Sequence, residues 1–157
     1  MLGSSLCRVY NENHEVFAFH RDKRSFTFST EDYSIDLSKY NRFEKLFKYI
    51  EPDIVIHCAA LTDVDENERF QKHATKLNVN VTENIARLCS DTSTLIYIST
   101  DQVYGLGDDH SETANILHPI NQYGKTKLKA EFKVRQLCSN HIIVRTNIFG
   151  WNTKPKK

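Results

Sequence analysis

The sequence of 157 residues carries 21 basic and 20 acidic side chains, which leaves a formal net charge of +1. This length suggests one domain, and 39% hydrophobic with 26% charged residues is enough for a packed core and speaks against wholesale disorder. The balanced charge favours neither a nucleic-acid nor a membrane-surface partner. No apolar run is long enough for a transmembrane helix and no signal peptide opens the sequence, so we expect a cytoplasmic globular domain.

The spacing of cysteines and histidines argues against a metal centre. The seven histidines include no His-x-x-x-His pair. The cysteines are far apart, form no Cys-x-x-Cys pair and lie in apolar contexts at Cys7, Cys58, Cys89 and Cys138. We therefore expect buried, reduced thiols of a cytosolic protein and no bound metal.

Predicted helices and strands alternate along the chain. In order, the pattern predicts a helix at residues 1–10, a buried strand at 15–19, a short strand at 34–37, and a helix capped by Ser38 and stopped by Pro52. A strand in the apolar run 53–60, a loop at 62–68 and a long helical region reaching Leu88 follow. The remaining elements are a strand at 94–99, a polar loop at 105–121, a helix from Tyr123 to about Leu137, and a strand at 141–146. This alternation predicts an α/β fold with a doubly wound parallel sheet, in which ligands bind beyond the carboxyl ends of the strands.

Three polar residues near one predicted strand end suggest proton transfer coupled to hydride transfer. Tyr123 and Lys127 are four residues apart, so they share one face of the predicted helix. An ammonium beside a phenol favours phenolate and is expected to lower the tyrosine pKa from its usual value of about 10. Thr100, after the strand at 94–99, could hydrogen-bond the same substrate oxygen. The Tyr-x-x-x-Lys spacing alone is a weak signal, because it also occurs by chance on exposed helix faces.

The chain resembles the extended short-chain dehydrogenase/reductases that act on nucleotide sugars, and among them the dTDP-4-dehydrorhamnose reductases most closely. The matching segments cover nearly the whole chain and are residues 57–68, 98–105, 119–131 and 144–146. Their order and spacing are more specific than any one motif. The resemblance implies a Rossmann-type domain over residues 1–150 followed by a tail at 151–157.

The resemblance also implies roles for individual residues. Tyr123 would be the general acid that protonates a sugar carbonyl, Lys127 would lower its pKa and bind the nicotinamide ribose, and Thr100 would hydrogen-bond the reacting oxygen. The implied cofactor-binding residues, besides Tyr123 and Lys127, are Gly3, Arg21, Asp36, Leu37, Ala59, Ala60 and Asn78. The implied substrate-binding residues are Thr62, Asp101, Gln102, Val103 and Arg145.

Two positions bear on the reaction and the cofactor. Related dehydratases carry a glutamate base where this chain has Gln102, and an amide has no titratable carboxylate. This disfavours dehydration and leaves reduction or epimerisation, with reduction favoured by the segment at 62–65. Arg21, Lys23 and Arg24 suit the 2′-phosphate of NADPH, although Asp22 lies among them and NADH is the alternative.

Two parts of the family pattern have no counterpart in these 157 residues. Only the last glycine of the Gly-x-x-Gly-x-x-Gly turn is matched, by Gly3, and the preceding strand, which lies mid-sheet in the family, is not matched. The substrate-binding portion that follows in the family is not matched either. The implied function is a nucleotide-sugar 4-keto reductase, for which a homodimer is an option. The alternatives are an epimerase on the same scaffold, a non-catalytic regulatory subunit resembling that of methionine adenosyltransferase, and an inactive fragment.

Overall fold

The computed structural model describes residues 2–21, 29–90, 92–106, 111 and 117–148. Its helices are α1 (Leu2–Tyr10), α2 (Tyr40–Ile50), α3 (Val64–Arg69), α4 (Gln71–Thr75), α5 (Val81–Leu88) and α6 (Gln122–Leu137), with a π-helical segment at Lys76–Asn80 and a 3-10 turn at Asp101–Val103. Its strands are β1 (Phe17–His20), β2 (Glu31–Ser34), β3 (Ile54–His57), β4 (Thr94–Thr100) and β5 (His141–Thr146). The predicted α/β class is confirmed.

All the strand pairs in the described residues are parallel, and they form two sheets. β1 pairs with β2, and β4 lies between β3 and β5. One edge of β1 and one edge of β3 therefore have no strand partner within the described ranges. The family resemblance places a further strand between β1 and β3. The two sheets are separated at that position.

One hydrophobic core nevertheless spans both sheets. Phe43 and Phe47 of α2 belong to the same buried cluster as Ile85 of α5 and Leu95 of β4. Phe19 of β1 packs edge-on against Phe43, with ring centroids 5.5 Å apart. The core thus fixes α2 and α5 against the sheets, and it leaves the carboxyl ends of the strands at one edge of the fold.

Several of the predicted elements need correction. The short strand expected at 34–37 is β2, which ends at Ser34, because Ile35 turns into the core and Asp36 forms a turn with the Ser38 backbone. Ser38 is not the N-cap of α2. Lys39 occupies that position, without a side-chain hydrogen bond.

A further correction concerns the residues between β3 and Leu88. The predicted loop at 62–68 contains α3, and the predicted long helical region is divided into α4, the π-helical segment and α5. Phe70 leaves helical geometry at φ −125° and separates α3 from α4. The predicted helix at 1–10 and the strands at 94–99 and 141–146 are confirmed to within a residue. The strand predicted at 53–60 is shorter than the apolar run that suggested it.

Several other expectations can be compared with the structure only in part. Cys89 and Cys138 are buried, whereas Cys7 and Cys58 are only half-buried. The charged residues Asp22, Lys23 and Arg24, most of the loop 106–117 and the tail 151–157 lie outside the described residues. Among the helices that are described, none combines the length and the apolar character needed to span a membrane.

The burial of Ile85 gives a direct test of the core. Ile85 is 3% exposed and Ile54 is 58% exposed, so the same loss of one methyl group should matter only at the first position. We expect Ile85→Val to lower the free energy of unfolding by about 1 kcal/mol, and Ile54→Val to leave it almost unchanged. Urea unfolding followed by circular dichroism measures both, and equal effects would contradict the assigned core.

Candidate functional site

The end of β4 passes directly into a hydrogen-bonded turn. Thr100 is buried, and its hydroxyl oxygen accepts a hydrogen bond from the Gln102 backbone N–H at 3.3 Å, which caps the 3-10 turn. The same hydroxyl donates to the Asp101 carboxylate at 3.1 Å. Because the turn is closed by these contacts, the position of the Thr100 hydroxyl is fixed at the carboxyl end of the strand.

The first turn of α6 is fastened to the turn after β4. The Asn121 side chain caps α6 by accepting from the Gly124 N–H at 2.8 Å, and its amide donates to the Gln102 side-chain oxygen at 2.7 Å. A Cβ on Gly124 would lie 2.7 Å from the Gln102 carbonyl oxygen and 2.9 Å from Cβ of Pro119. Only glycine therefore permits this approach, which brings Tyr123 beside Thr100.

Tyr123 lies at the start of α6 and is 9% exposed. Burial raises the pKa of its phenol, a hydrogen bond with Thr100 lowers it in part, and the nearby Asp101 carboxylate raises it again. The net shift is upward. The expectation that Lys127 lowers the pKa of Tyr123 is therefore wrong for this structure, because the low-polarity surroundings disfavour phenolate. The phenol is instead a group that retains its proton at neutral pH.

Lys127 is 3% exposed and lies one helical turn beyond Tyr123. Its ammonium donates to the Ile98 carbonyl oxygen at 2.6 Å and lies 4.1 Å from the centroid of the Tyr97 ring. Burial lowers the pKa of Lys127 to about 7, although the carboxylate of Glu131 acts in the opposite direction. The site thus contains a lysine whose charge is sensitive to pH near neutrality.

A buried amide network supports the other side of the site. Asn78, in the π-helical segment, accepts from the Leu61 N–H at 2.7 Å and donates to the Leu61 carbonyl, to Asn67 and to Thr126. Thr126 in turn donates to the Tyr123 carbonyl at 2.8 Å. Asn78 was predicted to bind cofactor, but the structure places its side chain in contacts that hold the loop after β3 against α6.

The other predicted cofactor-binding residues lie at two places. Gly3, in the first turn of α1, faces Cys58, and a Cβ there would meet Cβ of Cys58 at an ordinary 3.9 Å. Ala59, which follows Cys58, is exposed, and Ala60 is half-buried. The remaining three follow β1 and β2: Arg21 is exposed, Asp36 accepts from the Ser38 N–H at 2.9 Å, and Leu37 packs against the core.

The predicted substrate-binding residues differ in how accessible they are. Thr62 is exposed, and Asp101 and Gln102 are half-buried beside the turn after β4. Val103 is fully buried and packs inside the fold. Arg145 directs its guanidinium to Glu131 and over the Tyr104 ring, at 5.0 Å from the centroid. The structure therefore places Val103 and Arg145 as supporting groups beneath the surface that Asp101 and Gln102 border.

Four residues that organise the site were not singled out in the sequence: Asn67, Asn121, Gly124 and Glu131. Glu131 follows Lys127 by four residues, which places it on the same helix face. Asn121 precedes Gly124 by three residues, the spacing of an N-cap. In the part of the chain that the structure describes, no cluster of three or more His, Cys, Asp and Glu side chains is arranged to hold a metal ion.

Comparison with known proteins identifies the family of the chain and several relatives. The family described as "RmlD substrate binding domain" matches residues 1–154. The probable low-salt glycan biosynthesis reductase Agl14 of Haloferax volcanii is 32% identical over 96% of this chain and 51% of its own length. The dTDP-4-dehydrorhamnose reductase of Shigella flexneri is 35% identical over 74% of this chain and 40% of its own. Methionine adenosyltransferase 2 subunit beta of Xenopus laevis is 35% identical over 66% of this chain and 31% of its own.

Solved structures show the same arrangement of elements. A hypothetical dTDP-4-dehydrorhamnose reductase of Sulfolobus tokodaii has a TM-score of 0.80 at 32% identity, over 92% of this chain and 51% of that one. The UDP-Glc/GlcNAc 4-epimerase of Campylobacter jejuni has a TM-score of 0.83 at 27% identity, over 92% and 50%. The dTDP-4-dehydrorhamnose reductase of Bacillus anthracis, solved in complex with NADP, has a TM-score of 0.68 at 25% identity, over 84% and 53%. The chain spans about half the length of these relatives or less.

The buried lysine predicts a specific pH dependence of stability. The pKa of Lys127 is about 7 in the folded chain against an ordinary value of 10.5, so between these pH values the unfolded chain binds more protons and stability rises with pH. Lys127→Met removes this proton uptake. The unfolding free energy of the parent chain, relative to Lys127→Met, should therefore increase by about 2 kcal/mol between pH 7 and pH 9.

Urea unfolding at several pH values measures this difference, and other titrating groups cancel because both chains contain them. Lys125→Met is the matched control, since Lys125 is exposed on the same helix. It should leave the pH dependence of the parent chain intact. A difference between the parent and Lys127→Met that stays constant with pH would show that Lys127 remains fully charged in the folded chain.

Proposed function

Because the chain belongs to the RmlD substrate-binding-domain family, we propose that it carries the catalytic groups and the cofactor-binding region of a nucleotide-sugar 4-keto reductase of the dTDP-4-dehydrorhamnose reductase type. The observation that carries the proposal is that α6 brings Tyr123 beside Thr100 at the carboxyl end of β4 and packs Lys127 against the last residues of the same strand. A buried phenol in contact with a fixed hydroxyl, with a buried lysine one turn along, is the group of side chains that a carbonyl reduction needs.

The region around α1 and the end of β3 has properties that fit a dinucleotide. The first turn of α1 contains no acidic residue, and its N-terminal end lies beside Cys58. Backbone N–H groups at such a helix end favour a pyrophosphate. Ala59 and Ala60 are small and accessible at the neighbouring strand end. We infer that Gly3, Ala59 and Ala60 would border the cofactor. Arg21 would favour NADPH over NADH, because its guanidinium can pair with the 2′-phosphate that only NADPH carries.

In the proposed reaction NADPH supplies the hydride, and the side chains of this chain manage the proton. The phenol of Tyr123 is protonated at neutral pH, as its ordinary pKa of about 10 already ensures and as burial reinforces by raising the pKa, so it would donate to the carbonyl oxygen as the hydride adds to carbon. The Thr100 hydroxyl would turn its hydrogen from the Asp101 carboxylate to the same oxygen and keep that oxygen near the phenol. Lys127 is partly protonated near pH 7 and would place positive charge where the oxygen becomes negative.

Three alternatives from the sequence remain as outcomes of the same experiments. An epimerase would use the same residues, and its likeness in fold to this chain is as great as that of the reductases. A regulatory subunit is favoured by the similarity to the methionine adenosyltransferase subunit. Such a chain would bind nucleotide without transferring hydride. An inactive fragment would do neither.

Hydride transfer can be tested with deuterium-labelled NADPH and a dTDP-4-keto sugar. We expect deuterium at C4 of the sugar, detected by mass spectrometry, and a loss of about 100-fold or more in rate for Tyr123→Phe because the proton donor is removed. NADPH affinity should change little, since the ring remains. Tyr49→Phe is the matched control, because Tyr49 is 79% exposed on α2, and it should keep the parent rate.

The outcomes separate the candidate functions. NADPH binding without label transfer favours a regulatory subunit. In a parallel assay with a 4-hydroxy nucleotide sugar and oxidised NAD⁺, interconversion of the C4 epimers without net reduction of NAD⁺ favours an epimerase. Absence of NADPH binding at millimolar concentrations, in a chain shown to be folded by circular dichroism, would contradict a functional cofactor site in this chain.

A further inference from the structure

The carboxylate of Glu131 is completely buried, and both of its oxygens accept hydrogen bonds. Glu131 lies on α6 one turn after Lys127 and is 0% exposed. One carboxylate oxygen accepts from the Ser99 hydroxyl at 2.6 Å and from Nε of Arg145 at 3.1 Å. The other accepts from Nη2 of Arg145 at 2.8 Å and from Nη2 of Arg135 at 3.1 Å. This is a bidentate arginine pair with two further charge-assisted contacts.

The charged state of Glu131 is maintained by these partners. Burial alone would raise the pKa of the carboxyl group, but the hydrogen bonds from Arg145 and Ser99 outweigh burial and lower it. The pKa of Arg145 is raised, first by its hydrogen bond to Glu131. Because a buried charge is tolerated only with such compensation, the carboxylate holds its partners in one geometry.

Two partners of Glu131, Ser99 and Arg145, belong to different strands of the candidate site, whereas Arg135 lies on α6 itself. Ser99 immediately precedes Thr100 on β4, and Arg145 is its register partner on β5. The Arg145 guanidinium also lies over the Tyr104 ring, just after the turn that contains Asp101 and Gln102. The carboxylate therefore joins α6, the last residues of β4 and β5, and the turn beyond β4.

We propose that Glu131 is a positioning residue, whose carboxylate fixes the ends of β4 and β5 and the turn at residues 101–104 relative to Tyr123 and Lys127 on α6. It acts through Ser99 and Arg145 and does not itself contact a reacting atom. The role of this geometry in catalysis rests on the proposed reductase function, but the geometry itself can be measured without any substrate.

The same carboxylate contributes to the electrostatics of Lys127. The titratable groups that face the Lys127 ammonium are His57 of β3, Cys58 after it, Tyr97 of β4 and Glu131 on its own helix. Burial lowers the pKa of Lys127, whereas Glu131 and then Cys58 raise it. Loss of the carboxylate charge should therefore lower the pKa of Lys127, while the loss of positioning should loosen the turn.

The test compares Glu131→Gln with Glu83→Gln in the full 157-residue chain. Glu83 is the matched control, because it is a carboxylate of α5 paired with Arg87 and Lys133 away from the strand ends. Backbone hydrogen exchange is followed by NMR at residues 99–104. We expect about tenfold or faster exchange there in Glu131→Gln, with core amides such as that of Ile85 much less affected, and no change in Glu83→Gln.

A second readout is the titration of Lys127, followed through its labelled side-chain Cε and assigned with Lys127→Arg. Its midpoint should fall in Glu131→Gln and stay at the parent value in Glu83→Gln. A merely stabilising residue would raise exchange to the same extent at residues 99–104 and at core amides such as that of Ile85, and that result would overturn the proposal. The Lys127 midpoint reports separately whether the Glu131 carboxylate is charged and close to the ammonium.

If Glu131→Gln does not fold, Glu131→Asp tests the positioning role. This variant keeps the negative charge, but its side chain is one methylene shorter and cannot hold Ser99 and Arg145 in the same geometry. Faster exchange confined to residues 99–104 is expected, and parent-like exchange in this variant would overturn the proposal. These readouts need no NADPH or sugar. A failure of hydride transfer in the parent chain would therefore contradict the reductase function while leaving the role of Glu131 in the site geometry to be judged independently.

Discussion

The packing of α6 against β4 is the contact on which the candidate site depends. The Lys127 ammonium enters this interface, donating to the Ile98 carbonyl and lying over the Tyr97 ring. A buried ammonium is costly unless it is hydrogen-bonded or near negative charge, and the interface supplies both through the carbonyl and Glu131. Once this face of α6 is fixed on β4, Tyr123 can lie only beside Thr100. The position of the candidate site is thus set by a helix–strand contact that includes polar groups.

The contact between α6 and β4 does not depend on the two sheets being joined by backbone hydrogen bonds. β4 is paired on both sides, by β3 and β5, so its backbone groups are satisfied whatever happens at the free edge of β3. Unpaired ladder groups are tolerated at an edge far more readily than in the centre of a sheet. The aromatic cluster around Phe43 joins β1 and β2 to the remaining elements through side chains. Side-chain packing therefore joins the two sheets to each other, whereas backbone hydrogen bonds join the strands within each sheet.

The sequence predicted those elements whose local pattern and tertiary environment agree. β4 and α6 combine strong apolar patterning with clear end signals, and the predicted catalytic residues lie on them. It failed where a side chain has a local alternative or a distant partner. Asp36 bonds the Ser38 backbone and ends β2 early, and Arg145 pairs with Glu131, fourteen positions away. Asn78 likewise depends on partners from three other segments. These hydrogen bonds form only when distant segments meet in the folded chain. The family motifs therefore identified the residues but could not show which groups they contact.

The pKa shifts of Tyr123 and Lys127 have one main cause, which is burial. The two pKa values move in opposite directions because burial favours the neutral form of each group. Burial keeps the phenol neutral and protonated, and it makes the ammonium easier to deprotonate. A simple model in which the lysine charge lowers the tyrosine pKa therefore does not describe this structure. The described arrangement favours a tyrosine that begins a reaction as proton donor, with a lysine able to exchange protons near neutrality. That direction suits reduction of a carbonyl, since the oxygen must gain a proton as it gains negative charge. The proposed acid role of Tyr123 therefore rests on the position of a protonated phenol beside Thr100, which the Tyr-x-x-x-Lys spacing alone could not supply.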